Sequence, residues 1–183
     1  HNCKYLFIKK AVEILNRFIE RMQLDRLLQE YLPPDDPRCE VPTSQALLVL
    51  VRNLLISREP VYGVGEWAGL FAPDLFDLWM DQIPMLHDDR LGRCLTRLFS
   101  TVGPDFILAI VRHVVTEFQV SLRELHNDST TVSLYGAYSE AREEGIRLGR
   151  ATCAITWGHS KAKRPDLKQL LYTLTISDDG GVP

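Results

Sequence analysis

Apolar side chains recur at helical spacing through the first two thirds of the chain. Between residues 5 and 31, Ile8, Val12, Leu15, Phe18 and Met22 fall on one stripe with Lys, Glu and Arg between them. That spacing predicts a single long amphipathic helix. The run Pro33-Pro34-Asp35-Asp36-Pro37 stops it, because proline lacks the amide donor and biases the residue before it away from helix. Thr43 or Ser44 is placed to cap the next helix, which carries Ala46 to Val51 and Leu54 to Ile56. It is apolar nearly all round and belongs in the middle of a bundle.

Pro60-Val61-Tyr62-Gly63-Val64-Gly65 reads as a turn into a short helix at Glu66-Trp67-Ala68. Pro73 opens a short segment with Leu75, Phe76, Leu78 and Trp79, and the aromatics of this region are expected in the core. Asp88 or Asp89 is placed to cap an amphipathic helix through Leu91, Leu95, Leu98 and Phe99. Gly103-Pro104 breaks that helix. Residues 105–119 supply one more.

The periodicity then changes from 3.6 to 2. Leu125 to Gly136 contains the stiff β-branched Thr130, Thr131 and Val132 and reads as a strand. Strand alternation puts His126, Asp128, Thr130, Val132 and Leu134 on one face. Ala137 to Arg150 is polar and reads as a loop or short helix. Ala151 to Trp157 reads as a short strand or an extended approach, and Gly158 to Asp166 as a loop. Leu167 to Ile176 is a second long strand, closed by the turn Ser177-Asp178-Asp179-Gly180-Gly181. Val182-Pro183 is expected to begin a third strand. The pattern divides the chain into a helical domain, 1–120, and the start of an α/β domain, 121–183.

Composition adds little to this and charge adds more. The 183 residues carry a net charge of −3, which does not advertise nucleic-acid binding. Residues 145–168, however, hold Arg147, Arg150, Lys161, Lys163, Arg164 and Lys168 against Asp166 alone. Such a cluster is either a solvated loop or a phosphate-contacting patch. No apolar run is long enough to span a bilayer and no signal peptide is visible, so a cytoplasmic protein is expected. The first residue is His1 rather than Met, as in a fragment or a processed form. Cys3, Cys39, Cys94 and Cys153 are scattered and read as reduced thiols.

Two positions are candidates for chemistry. Asp128 is a carboxylate within an apolar and hydroxyl-rich strand, which is unfavourable unless it is exposed, paired or holding a metal. His87-Asp88 is an adjacent pair of the kind used by helical metal-dependent phosphohydrolases. That chemistry needs further His and Asp ligands, and His113 is the only nearby candidate. Helix capping is the better reading there.

Motifs in three regions together resemble a group of bacterial insertion-sequence transposases. Arg58-Glu59-Pro60-Val61-Tyr62 and Asp88-Asp89-Arg90-Leu91-Gly92-Arg93 look like parts of their N-terminal helical domain. Leu125-His126-Asn127-Asp128-Ser129-Thr130 looks like the first catalytic strand of their RNase H-like DDE core. Gly158 to Gln169 is similar to their Gly-Tyr-Ser-Lys-Asp-His-Arg-Pro-Asp-Leu-Lys-Gln signature, with Arg164 to Gln169 intact. His159 stands for the usual Tyr, and Ala162-Lys163 for Asp-His.

The resemblance implies a mainly α chain: a helical bundle followed by the first strands of a truncated RNase H-like α/β domain. It implies a DDE transposase that cleaves and joins DNA with two divalent ions, Mg²⁺ or Mn²⁺. Asp128 is then the first metal-bridging carboxylate. Lys161, Lys163, Arg164 and Lys168 are then phosphate contacts to transposon-end DNA. The second Asp and the Glu of that family lie downstream of Pro183, so this chain alone is expected to be inactive. A homo-oligomer is implied for the active complex, and no membrane partner. The alternative is a non-catalytic DNA-end-binding or dimerisation module of a transposase or its remnant.

Overall fold

A computed structural model describes residues 2–139, 145–159 and 163–183. The chain divides into two compact units, 1–117 and 118–183. Each is described by itself.

The first unit is helical, with α1 (Asn2–Arg21), α2 (Leu24–Tyr31), α3 (Thr43–Ile56), α4 (Val64–Ala68), α5 (Asp88–Thr101) and α6 (Pro104–Phe118). Short 3₁₀ turns span Val61–Gly63, Pro73–Phe76 and Met80–Met85. The single helix expected over 5–31 is two helices. Gln23 breaks it in the left-handed conformation, at φ 50°, and accepts a hydrogen bond from Arg26 Nε at 2.6 Å. The break re-aims α2 so that Leu27 and Leu28 enter the core.

Helix α3 packs against α1, α2, α4 and α5. Its first three turns bury Ala46 to Leu50, Arg52 and Asn53, while Leu54 and Leu55 near its end are exposed. Neither Thr43 nor Ser44 caps it by its own side chain. Asp35, eight residues upstream, does so: its carboxylate accepts the Thr43 N–H at 2.8 Å and the Thr43 hydroxyl at 2.5 Å. Arg97 of α5 stands 3.1 Å from the same carboxylate and also donates to the carbonyls of Pro33 and Pro34. The proline-rich stop is thereby clamped between two helices.

Trp67, Phe71 and Phe76 form a buried aromatic cluster with centroids 5.4–5.9 Å apart. Trp79 departs from the expected core position and is exposed. Every buried apolar side chain among the described residues lies between Val12 and Phe106, all within this unit. No single helix among the described residues is long and apolar enough to cross a membrane.

The second unit is β. Strands β1 (Leu125–Leu134) and β5 (Lys168–Ser177) pair antiparallel over ten residues, and β4 (Thr156–Trp157) adds to the outer edge of β5. Between them β2 (Gly145–Arg147) and β3 (Arg150–Thr152) make a separate hairpin. The polar stretch after β1 therefore contains strands rather than a helix. Its two-residue turn has positive φ at both positions, 52° at Leu148 and 76° at Gly149, which suits the right-handed twist of the flanking strands. No third strand begins at Val182. The chain instead turns back, with the Ser177 N–H donating to the Val182 carbonyl at 2.8 Å.

Candidate functional site

Asp128 sits in the middle of β1, opposite Leu174 of β5. The register puts His126, Thr130, Val132 and Leu134 on its face of the sheet, with Lys168, Leu170, Tyr172, Leu174 and Ile176 across from them. Trp157 of β4, opposite Lys168, shares this face. The other face carries hydroxyls and amides, and there the Asn127 amide donates to Thr175 Oγ1 at 2.6 Å.

Asp128 is exposed, and its Oδ1 accepts the Ser129 N–H at 2.8 Å. His126, two residues earlier on the same face, has Nε2 3.4 Å from Asp178 Oδ1. Asp178 lies in the turn after β5. That turn is held by the Asp178 N–H, which donates to the Glu124 carbonyl, and by the Asp179 carboxylate, which accepts the Ser121 N–H.

As a donor set for a divalent ion, Asp128 fits as one hard oxygen ligand open to solvent. The described residues contain no cluster of three or more His, Cys, Asp or Glu able to hold a metal. They do not assemble a complete two-ion centre.

The basic loop is more tightly built than its composition suggests. Arg164 grips Asp166 with two bonds, at 2.7 and 2.6 Å, and its guanidinium stands 5.9 Å over the Tyr135 ring. This bond holds the Asp166 carboxyl below the usual carboxylate range. Lys168 is turned inward. It is 9% exposed, donates to the Tyr138 carbonyl at 2.5 Å and lies 4.9 Å from the Trp157 centroid. Gln169 is also buried and donates to the Gly158 carbonyl. Lys163 is exposed at φ 53°. Lys161 lies outside the described residues, as do Ser160 and Ala162 and the side chain of Arg147.

The structure thus places Lys163 and Arg164 in one loop and Lys168 at the start of β5, and does not set them beside Asp128. Lys168 is opposite Leu134, six residues along β1, and six residues of strand span about 20 Å. The Arg-Pro-Asp-Leu-Lys-Gln stretch works first as a clip that shapes its own loop.

In the helical unit, His87 caps α5, its Nδ1 accepting the Arg90 N–H at 3.3 Å, while Asp88 and Asp89 occupy the first turn. The cap is therefore the histidine rather than either aspartate. Sequence periodicity also hid Arg52, which sits among leucines on α3 and is 2% exposed. It donates to Asn16 Oδ1 at 2.7 Å and faces Asp77 at 3.8 Å, and burial pushes its pKa down.

No family model, no curated protein and no solved structure matches the chain.

Proposed function

We propose that the chain is the N-terminal part of a DDE-type insertion-sequence transposase, with Asp128 as the first carboxylate of its metal centre. The observation that carries this reading is the placement of Asp128. It is an exposed carboxylate at mid-strand, on a ten-residue pair whose second strand emerges directly from the signature-like loop. Exposure makes a carboxylate tolerable on a strand, and Asp128 offers the hard oxygen that divalent ions take as a ligand. The motifs at 58–62, 88–93, 125–130 and 158–169 support the same family.

Under this reading Asp128 would be one of the carboxylates that hold Mg²⁺ or Mn²⁺, and the bound ions would supply charge stabilisation for an in-line displacement at phosphorus. Asp128 supplies one ligand group, too few to retain Mg²⁺, so the 183-residue chain is inactive by itself. Lys163 and Arg164, with Lys161, contact end-DNA phosphates. Their loop lies about 20 Å from Asp128, the length of about six base pairs at 3.4 Å per phosphate step. The partners are transposon-end DNA and further copies of the chain, and the location is cytoplasmic.

The test is strand transfer by the complete reading frame on its own flanking DNA ends. Activity should require Mg²⁺ or Mn²⁺ and be lost in Asp128→Asn, while the 183-residue chain gives no nicking. Full activity of Asp128→Asn, or metal-dependent nicking by the short chain, would overturn the proposal.

A further inference from the structure

We infer that the cavity between α1, α2 and α3 binds a free α-amino acid with an apolar side chain, its carboxylate on Arg52 and its ammonium on Asp25. The inference is independent of the reading of Asp128 and lies wholly within the helical unit.

The cavity holds about 520 Å³, within the range of small-molecule sites. Its wall includes Asn16 and Ile19 of α1, Asp25 of α2, Leu48 and Arg52 of α3, and Asp77, which follows the 3₁₀ turn Pro73–Phe76.

Arg52 is 2% exposed, and its guanidinium is only partly satisfied. Nε donates to Asn16 Oδ1 at 2.7 Å. Nη2 stands 3.8 Å from Asp77 Oδ2, beyond hydrogen-bond reach. Nη1 is buried and has no hydrogen-bond partner among the described residues. Asn16 thus takes the side of the guanidinium and leaves the end formed by Nη1 and Nη2. Such an end matches the two oxygens of a carboxylate.

Asp25 is the complement. Its Oδ2 accepts from Gln29 Nε2 at 2.7 Å, while Oδ1 is buried without a donor among the described residues. The negative charge of Asp25 acts on Arg52, yet neither unpartnered atom reaches the other. Buried polar atoms are nearly always bonded. One cavity therefore has a donor and an acceptor of opposite charge that a guest can satisfy together.

Charge narrows the guest. Glu20, Asp25 and Asp77 line the cavity against Arg26 and Arg52, and Arg26 is already bonded to Gln23 and Glu30. An anion alone meets three carboxylates. A cation alone meets the desolvated guanidinium of Arg52. A zwitterion offers each side its counter-charge. Ile19 and Leu48, both buried, give an apolar wall for its side chain.

The experiment titrates L-leucine into this chain by calorimetry and by amide chemical shifts, beside three analogues. N-acetyl-L-leucine lacks the ammonium, L-leucinamide lacks the carboxylate, and N-acetyl-L-leucinamide lacks both. L-leucine should bind, and each analogue lacking one charge should bind about tenfold more weakly or worse. The shifts should centre on residues 16–26, 48–52 and 77. Arg52→Met, shown by circular dichroism to be folded, should bind L-leucine about tenfold more weakly and no longer prefer it to L-leucinamide. Asp25→Asn should no longer prefer L-leucine to N-acetyl-L-leucine. No binding of L-leucine at millimolar concentration, as for a cavity that holds water only, would overturn the inference. Equal affinity of the unaltered chain for all four compounds would also overturn it, as would unchanged affinity in the folded Arg52→Met.

Discussion

Lys168 donates its ammonium to the Tyr138 carbonyl at 2.5 Å, across thirty residues of sequence, and it does so while almost fully buried. A side chain that composition assigns to a basic patch is in fact the peg that fastens the loop to the sheet. The Trp157 ring, 4.9 Å away, stabilises the same charge. Lys168→Met should keep the packing of the stem and lose the charged hydrogen bond. The expected cost is about 1–3 kcal/mol, the range for bonds to charged groups and for a carbonyl left without its donor. Hydrogen exchange at β5 amides would show it as faster exchange from Lys168 through Leu171. Under the proposed function, the salt dependence of end-DNA binding should not change, since the buried ammonium does not reach solvent phosphates.

Asp35 organises the helical unit. It caps α3 through Thr43 and holds Arg97, with Arg90 4.0 Å away. Loss of a helix cap alone costs about 0.5–2 kcal/mol. Here two partly buried arginines also lose a counter-charge, so Asp35→Ala should destabilise by about 2 kcal/mol or more. Urea unfolding followed by helical circular dichroism checks it. Thr43→Val removes only the hydroxyl and should cost less than Asp35→Ala.

A carboxylate at the surface reports pH directly. Arg38 holds the Asp36 carboxyl down at about 2 from its ordinary 3.8, by its side-chain bond first and by its backbone N–H second. A folded pKa below the unfolded one means that the contribution to stability is complete above the unfolded value. It is then lost as pH falls from 3.8 toward 2. The carboxyl carbon shift of Asp36 should titrate near 2. In Arg38→Ala it should move up toward the ordinary range.

Much of this architecture was legible because packing there follows the period of the sequence. The helical stripes, the proline stop and the long strands at β1 and β5 all follow from local pattern. What escaped depends on partners distant in the chain. Nothing near Gln23 announces a left-handed break, since glutamine is an ordinary helix former. Asp35 caps a helix eight residues away. Lys168 and Arg52 are buried charges, and local pattern cannot foresee the Tyr138 carbonyl or the Asn16 amide that receive them. The distance between the basic loop and Asp128 is likewise a matter of strand register, which short motifs do not carry.

Arg52 offers a contrast between two ways of losing a buried charge. Its guanidinium is desolvated, bonded to Asn16 and opposed by Asp77. Arg52→Ala opens a cavity beside Phe76 and leaves Asn16 Oδ1 without its donor, and a large-to-small change of this kind costs about 2–5 kcal/mol, with the exposed Asp77 staying solvated. Arg52→Met refills the space with an apolar side chain of similar length. It should recover a large part of the loss, because burying a guanidinium is itself expensive. Urea midpoints ordered wild type or Arg52→Met first and Arg52→Ala last are expected. Equal losses in the two variants would mean that the bond to Asn16, not the filled volume, holds α1 to α3.

Under the proposed function, the pairing of Arg164 with Asp166 bears on DNA binding in a way that charge counting misses. A guanidinium already held by two short bonds must exchange that partner, at least in part, for a phosphate. Under the proposed function, Asp166 competes with DNA for Arg164. Asp166→Asn should remove the competitor and strengthen end-DNA binding, although the pair also shapes the loop. Each phosphate newly contacted steepens the slope of log affinity against log salt by about 0.9. Lys163→Glu, at an exposed position, should weaken binding and flatten the same slope by about 1. Binding of the wild type and both variants across a salt series separates the cases. A weaker Asp166→Asn with an unchanged slope would mean that the pair matters for loop shape alone. A stronger one with a steeper slope would identify Arg164 as a phosphate contact restrained by its neighbour.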